Sequence, residues 1–463
     1  MEIVPSTFLA LLAIVAIILA GPIRGLLAFA LLAPLGAAAA FNLPAVGGAT
    51  IGVLDIAAIT LFAAVCLGRD AVAQLAGTMR IGQPGFWLLL AGAYCVISAI
   101  IFPRVFEGQT IVFGIARDDN TRGISEVLLR PTTGNITQLF RIFLGVIAFL
   151  AIATVLRRRA DANAVLKAMV AATILHFALG WIDVLTFAIG AQELLEPIRT
   201  ANYAMLISHK MVGLKRMVGG FPEASSFGYF TLGLFGFWLQ YFLLIDRSRV
   251  AGWMLILTSI VLLRSTSSAA YVSAFAFLGA TGLYALFASA APSMSRRAAG
   301  LTISAIVVAW FAILGFVLAY QFVEPVSAYL DRAIFDKLDT SSGVERGSWN
   351  AQAFKNFLDT AGFGAGLGSV RASSWFMACL GSIGWLGTFF LLAFLVSVAR
   401  APATTQNIQR DAVITGLKSG CAAMLIAAML THPTPDLGIF FFAMAAMATG
   451  LSRGGLLESR QLR

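Results

Sequence analysis

Apolar residues run through this chain in long blocks, separated by short polar punctuation. The blocks fall at 4–20, 24–42, 50–68, 85–103, 136–156, 163–188, 225–245, 250–264, 268–290, 299–321, 375–399, 413–431 and 435–452. Most are roughly 17 to 25 residues long, the length that crosses a bilayer as a helix. The pattern predicts an all-α fold, a polytopic membrane helical bundle of about 12–13 transmembrane helices. The whole chain, 1–463, reads as one integral membrane domain.

The connections give this bundle an orientation. Arg157-Arg158-Arg159, Arg247 with Arg249, Arg296-Arg297, Arg400 with Arg410, and the tail with Arg453, Arg460 and Arg463 all fall on one side. Basic residues gather on the cytoplasmic side of membrane proteins, which predicts an outer amino terminus and a cytoplasmic carboxyl terminus. Extracytoplasmic loops are then expected at 104–135, 189–224 and 322–374. The last carries an amphipathic stretch, Val326 to Leu338, and a second helix opened by a capping-box pattern, Ser342 with Glu345. Trp349, Phe354 and Phe357 would form the apolar stripe of that second helix, so both are expected to lie on the membrane surface or cap the bundle. No matching pair of interrupted spans is evident, which weighs against an inverted-repeat transporter.

Composition agrees. The chain is 59% hydrophobic and 12% charged, where a soluble domain carries about a quarter charged residues. Its net charge of +10 sits mostly in the short basic connections, so it speaks for membrane topology and not for nucleic acid. The first block has only Glu2 before it and a second block directly after it, so it reads as a retained helix and not as a signal peptide. Cys66, Cys95, Cys379 and Cys421 all lie inside apolar blocks without motif spacing, which predicts no disulfide framework and no metal site.

There is no phosphate-cradling GxxxxGK[ST] loop or dinucleotide fingerprint, no metal-ligand spacing and no nucleophile elbow. Candidate chemistry lies in the outer loops. Lys215 and Arg216 precede a Gly219-Gly220 step, Glu223 at a helix entrance, and Ser225 and Ser226 as possible caps. A helix amino terminus beside an arginine is an anion site; the plainer alternative is a capped helix with a solvated arginine. Arg264 ends a span in Leu262-Leu263-Arg264-Ser265-Thr266-Ser267-Ser268, where it either binds an anion or snorkels to lipid. Arg346 precedes the glycine-rich run 362–368, and a surface ion pair with Glu345 or Asp359 is its plainer role. His176 and Asp183 can share one face of a span, as a proton relay or a structural pair. His209 and His432, in outer loops, can serve as general bases near neutral pH or as ordinary loop histidines.

Together these positions resemble the O-antigen polymerase and ligase superfamily, in the exopolysaccharide-like variant of the Wzy-type polysaccharide polymerases. The likeness rests on Arg216, Gly219, Phe221, Glu223 and Gly228, then on the hairpin 262–268. It continues with Arg346, Trp349, Phe357 and Gly364 to Gly368 ahead of Gly381, Gly384 and Gly387. It covers roughly residues 200 to 450. The long outer loop has no histidine of the kind expected in the ligases, which favours a polymerase.

The resemblance implies a bacterial inner-membrane glycosyltransferase acting on polyprenyl-diphosphate-linked oligosaccharide, with no cofactor, metal or nucleotide. Arg216, Arg264, Arg346 and Lys215 would bind the diphosphate, and Glu223 or His432 would act as the base. Membrane lipids, a flippase and a chain-length regulator are the implied partners. A ligase of the same superfamily, a flippase or secondary transporter, and a non-catalytic assembly partner are the alternatives.

Overall fold

The computed structural model describes residues 1–43, 49–118, 121–211, 213–245, 248–289, 320–321, 324 and 341–461. The expected amphipathic stretch Val326 to Leu338, and all but the last two residues of the expected span 299–321, lie outside the described residues. What is described is an all-α, multi-pass bundle. Among the described residues eight helices have the length and hydropathy of a membrane span when the broken helix Thr7–Leu32 is counted whole.

The first element with an unexpected course is α1 (Thr7–Leu32). It breaks at Gly21, whose φ of 76° and ψ of 166° only glycine adopts readily, and Pro22 opens the second half. The chain doubles back there. Strand β1 (Glu2–Ile3) pairs with β2 (Ala39–Leu43), Thr7 Oγ1 donates to the Ala40 carbonyl at 2.6 Å, and a methyl built on Gly25 would stand 3.2 Å from Ile17. The 14 and 11 residues on either side of Gly21 make helices of only about 21 and 16 Å, against a hydrocarbon core of about 30 Å. The expected span 24–42 is therefore corrected to a short ascending helix followed by strand. An interrupted span is present after all.

After β3 (Ala49–Gly52), α2 (Val53–Cys66) and α3 (Ala71–Thr78) meet at a bend of 120°. Then come α4 (Pro84–Ile100) and the single turn α5 (Phe102–Val105). The expected loop 104–135 is largely an antiparallel hairpin, β4 (Ile111–Asp118) with β5 (Thr121–Leu128). Long helices follow: α6 (Thr133–Arg158), α7 (Ala162–Ala188), α8 (Ala224–Leu244), α9 (Arg249–Arg264) and α10 (Ser268–Ser289). Between α7 and α8 stand a 3-10 segment, Gln192–Ile198, and the two-residue strands β6 (Lys210–Met211) and β7 (Leu214–Lys215). Surface helix α11 (Ser341–Asp359) precedes α12 (Trp375–Ala399), α13 (Ile408–Thr431) and α14 (Ile439–Gln461).

Small residues let the central helices touch backbone to backbone, the usual route to tight packing where lipid supplies no hydrophobic drive. A methyl on Gly236 of α8 would meet the Ser419 carbonyl of α13 at 3.0 Å, and one on Gly450 of α14 would meet the Ala153 carbonyl of α6 at 2.9 Å. Helices α14 and α6 are the centre, 83% and 78% buried over their apolar windows, against 28% for α1.

α11 exists, but its inner face is not the expected aromatic stripe. It begins at Ser341, so Ser342 lies inside its first turn. Ala353 and Asn356 face inward, while Phe354 is 44% exposed. The reason is the hairpin beside it: Asn356 Nδ2 and Gln352 Nε2 both donate to the Ile111 carbonyl at 2.6 Å.

The glycine run 362–368 behaves as a strap. Gly362, Gly364, Gly366 and Gly368 all have φ between 83° and 103°. Helix α12 breaks at Gly384 (φ 62°, ψ −167°), and the strap enters that break. Ala365 N donates to the Gly381 carbonyl at 2.7 Å, Gly366 N to the Ser382 carbonyl at 3.0 Å, and Trp385 N to the Gly362 carbonyl at 3.0 Å. Ser98 of α4 and Asn135 of α6 bond the far side of the strap, through Leu367. Irregular backbone is tolerated at membrane depth when protein satisfies it in this way.

The two ends of the bundle differ. The described parts of all three expected loops gather at the end that holds the strap. The opposite end is basic, with Arg157, Arg400 and Arg410 at or near helix termini and Arg453 in the second half of α14.

Candidate functional site

Glu223 is the residue from which α8 starts. Its backbone is extended (φ −155°, ψ 161°), and its carboxylate Oε1 accepts the Ser225 hydroxyl instead of capping the helix. The Gly219-Gly220 step before it is closely packed. Gly219 has φ 52°, and Gly220 presses on the Pro34 carbonyl and accepts the Ala37 amide at 2.8 Å.

His432 follows the last residue of α13. Its loop is fixed by Trp375 Nε1 on the Pro435 carbonyl (2.9 Å) and by Tyr229 Oη on the Leu437 carbonyl (2.8 Å). The His432 ring leans on the Tyr229 ring, with centroids 5.0 Å apart.

Glu223 and His432 line the same cavity, of about 380 Å³, at the loop-bearing end. Asp55, Arg141, Tyr203 and Asp436 also line it, as do Ser225 and Ser226. Asp55 Oδ2 accepts the Gly52 amide at 2.7 Å, and Asp436 Oδ1 accepts the Gly438 amide at 2.9 Å. Three carboxylates against one guanidinium make this an acidic cavity. Burial pushes the His432 imidazole below its ordinary pKa, and the nearby Asp436 carboxylate opposes that only in part. A neutral imidazole follows at neutral pH, able to accept a proton.

The basic candidates lie elsewhere. Arg216, Arg264 and Arg346 do not line the cavity. Lys215 is buried, with its Nζ donating to Asp183 Oδ2 at 2.7 Å and to the Arg216 carbonyl at 3.0 Å. Asp183 Oδ1 takes Arg199 at 2.6 Å, and Oδ2 also accepts the Val218 amide at 2.9 Å. Burial lowers the Lys215 pKa, and the bond to Asp183 works against it. Arg264 Nη1 donates to the Lys215 carbonyl at 2.9 Å, so both basic residues belong to one network, which the Arg216 carbonyl joins through the Lys215 ammonium. Arg346 lies on α11 next to Glu345, whose charge acts on Arg371.

The expected His176–Asp183 pair is not made. His176 Nε2 bonds Thr231 Oγ1 at 2.7 Å, and its ring stacks on Phe227 with centroids 4.2 Å apart. His209 is exposed and does not line the cavity; its carbonyl accepts the Arg216 amide at 3.0 Å.

Arg141, Asp55, Asp436 and Arg371 escaped the sequence reading. Two of them carried a usable signal, because Arg141 and Asp55 are ionisable residues inside expected spans. Arg371 lies over the Trp349 ring at 4.3 Å, where burial lowers its pKa and the Glu345 and Glu223 charges oppose that in part. Its Nε is buried with no hydrogen-bond partner among the described residues.

No protein-family model matches the chain, and no curated protein matches it.

Proposed function

We propose that the chain polymerises lipid-linked saccharide repeat units, joining polyprenyl-diphosphate-linked oligosaccharides at the outer face of a bacterial inner membrane. The observation that supports this reading is the meeting of Glu223 and His432 in one acidic, aromatic-walled cavity at the loop-bearing end. Carboxylates and tyrosines suit sugar hydroxyls. The cavity would repel a diphosphate, so the donor's diphosphate is assigned to the arginines outside it.

In the proposed step, Glu223 or His432 takes the proton of an acceptor hydroxyl. The acceptor oxygen bonds the anomeric carbon of the donor, the bond from that carbon to the diphosphate oxygen breaks, and the electron pair leaves with polyprenyl diphosphate. Arg371 is assigned to the diphosphate clamp with Arg216, Arg264 and Arg346, because its guanidinium lies within range of the charges of both Glu345 and Glu223. Guanidinium stays charged and binds phosphate oxygens in pairs. Lys215 is assigned a supporting role, since Asp183 holds its ammonium. In this reading the basic end faces the cytoplasm, which matches the positive-inside pattern.

A flippase or secondary transporter would draw support from the interrupted spans α1 and α12. The carbonyls freed in α12 are met by the strap, however, and Gly384 does not line the cavity. A ligase shares the donor chemistry and differs in the acceptor.

The test is polysaccharide size in a deletion strain complemented with wild type, Glu223→Gln, His432→Ala or Arg371→Ala at matched protein level. Loss of long chains in the deletion, with single lipid-linked repeats left over, is the expected result. Long polymer without the protein overturns the reading. Long polymer that stays lipid-linked and is never transferred makes it a ligase.

A further inference from the structure

The basic end holds a second built cavity, of about 340 Å³, between the start of α4, the end of α12 and α14. Arg400 and Arg453 line it, with Trp87 and Val396 as apolar wall. A narrower cleft next to it shares Arg453 and adds Arg157. Arg157 lies within charge range of both Arg80 and Arg453, and Arg453 within range of Arg460.

No carboxylate answers this cluster: among the described residues none forms a salt bridge with Arg80, Arg157, Arg400 or Arg453. The bonds that are made are neutral, Arg453 Nε to Gln83 Oε1 at 2.8 Å and Arg157 Nη1 to the Gln74 carbonyl at 3.2 Å. Like charges held this close are stabilised by an anion from outside the chain.

An apolar track leads into the same cavity. Trp385, Phe389, Leu392 and Val396 are 55%, 51%, 37% and 46% exposed. Their spacing puts them on one face of α12. Val396 is the point where track and cavity meet, and Trp87 sits edge-on to Phe389 at 6.0 Å. A phosphate at the arginines and a hydrocarbon chain along the track satisfy both halves at once.

We propose that this cavity binds an anionic phospholipid of the leaflet at the basic end, its phosphate between Arg400 and Arg453 and one acyl chain along Trp385–Val396. The proposal is independent of the polymerase reading. A basic pocket between helices is the known form of an anionic-lipid site, and a ligand that binds only the folded state raises Tm with concentration.

The experiment is thermal unfolding of the purified full chain in uncharged detergent, with added phosphatidylglycerol, phosphatidylcholine or inorganic phosphate. The expected result is a dose-dependent rise in Tm with phosphatidylglycerol alone. Arg400→Gln/Arg453→Gln should lose that rise. Arg400→Gln by itself should weaken it, and it removes a side chain that makes no hydrogen bond among the described residues, so it tests the site with little effect on folding. Arg24→Gln, at a separate groove beside the α1 break, should keep it. An equal rise with phosphatidylcholine, a rise with inorganic phosphate alone, or a double variant that responds like wild type overturns the proposal.

Discussion

Lys215 reaches Asp183 across 2.7 Å, and the oxygen it meets also accepts the Val218 amide. One carboxylate, buried in α7, therefore holds the loop that leads to Glu223. Arg199 on the other oxygen completes the arrangement, with all three side chains no more than 5% exposed.

Asp183→Ala should be among the most destabilising single changes in the protein. It leaves two buried cations without their partner, and breaking a buried pair costs about 3–5 kcal/mol. A large fall in Tm, shared by Asp183→Asn to a lesser degree, is the expected result. A variant with wild-type Tm would show that the network carries no load.

Glu223→Gln and His432→Ala should leave Tm close to wild type, because neither side chain closes a packing core. If one of them is the base, that variant alone loses polymerisation by about 10²–10⁴-fold. Comparing the two at matched protein level assigns the base, and full activity in both removes Glu223 and His432 from the chemistry together.

His432 makes a pH prediction with a definite sign. Its folded-state pKa lies below the ordinary 6.5, so below that pH the unfolded chain binds the extra proton first. Wild type should therefore lose stability, relative to His432→Gln, as pH falls from about 6.5 towards the lower folded value. Above that window the difference between the two should be flat with pH. A gap that widens towards alkaline pH contradicts the burial argument.

Gly384→Ala should unfold or mislocalise the protein. Its φ is positive, and a methyl there would stand 2.2 Å from the Gly362 carbonyl. Backbone strain alone costs about 1–3 kcal/mol, before the steric clash is counted. Gly108→Ala is the control, positive in φ but with open space around it. It should lose only the backbone part.

The long apolar helices were legible in the chain. Helix α12 matches its expected bounds, and α7 and α8 match within a residue. Helix α13 starts five residues earlier than its apolar block, because Ile408-Gln409-Arg410-Asp411 is a polar first turn that hydropathy discounts. The α1 break at Gly21-Pro22 falls in the gap between the blocks 4–20 and 24–42, but the apolar run to 42 hid that its helix ends at Leu32 and gives way to strand. The β4–β5 hairpin has no run of alternating apolar residues to announce it.

The site was half legible. Glu223 and His432 were both singled out from local pattern, whereas their meeting depends on how α8 and α13 pack. The partners of Lys215 could not be read, because Asp183 lies a whole loop away and no periodicity links them. Arg141 and Asp55 each carry a signal in the sequence, a charge inside an apolar block, where a charge demands an explanation.

The strap at 362–368 also bears on the order in which the protein is made. Ser98 and Asn135, which hold one side of it, emerge from the ribosome long before it does, while the interrupted helix it fills emerges just after. The filling is thus synthesised ahead of the gap. When α12 enters the membrane, donors for its exposed carbonyls are already anchored to α4 and α6. The break at Gly384 need never face lipid unprotected.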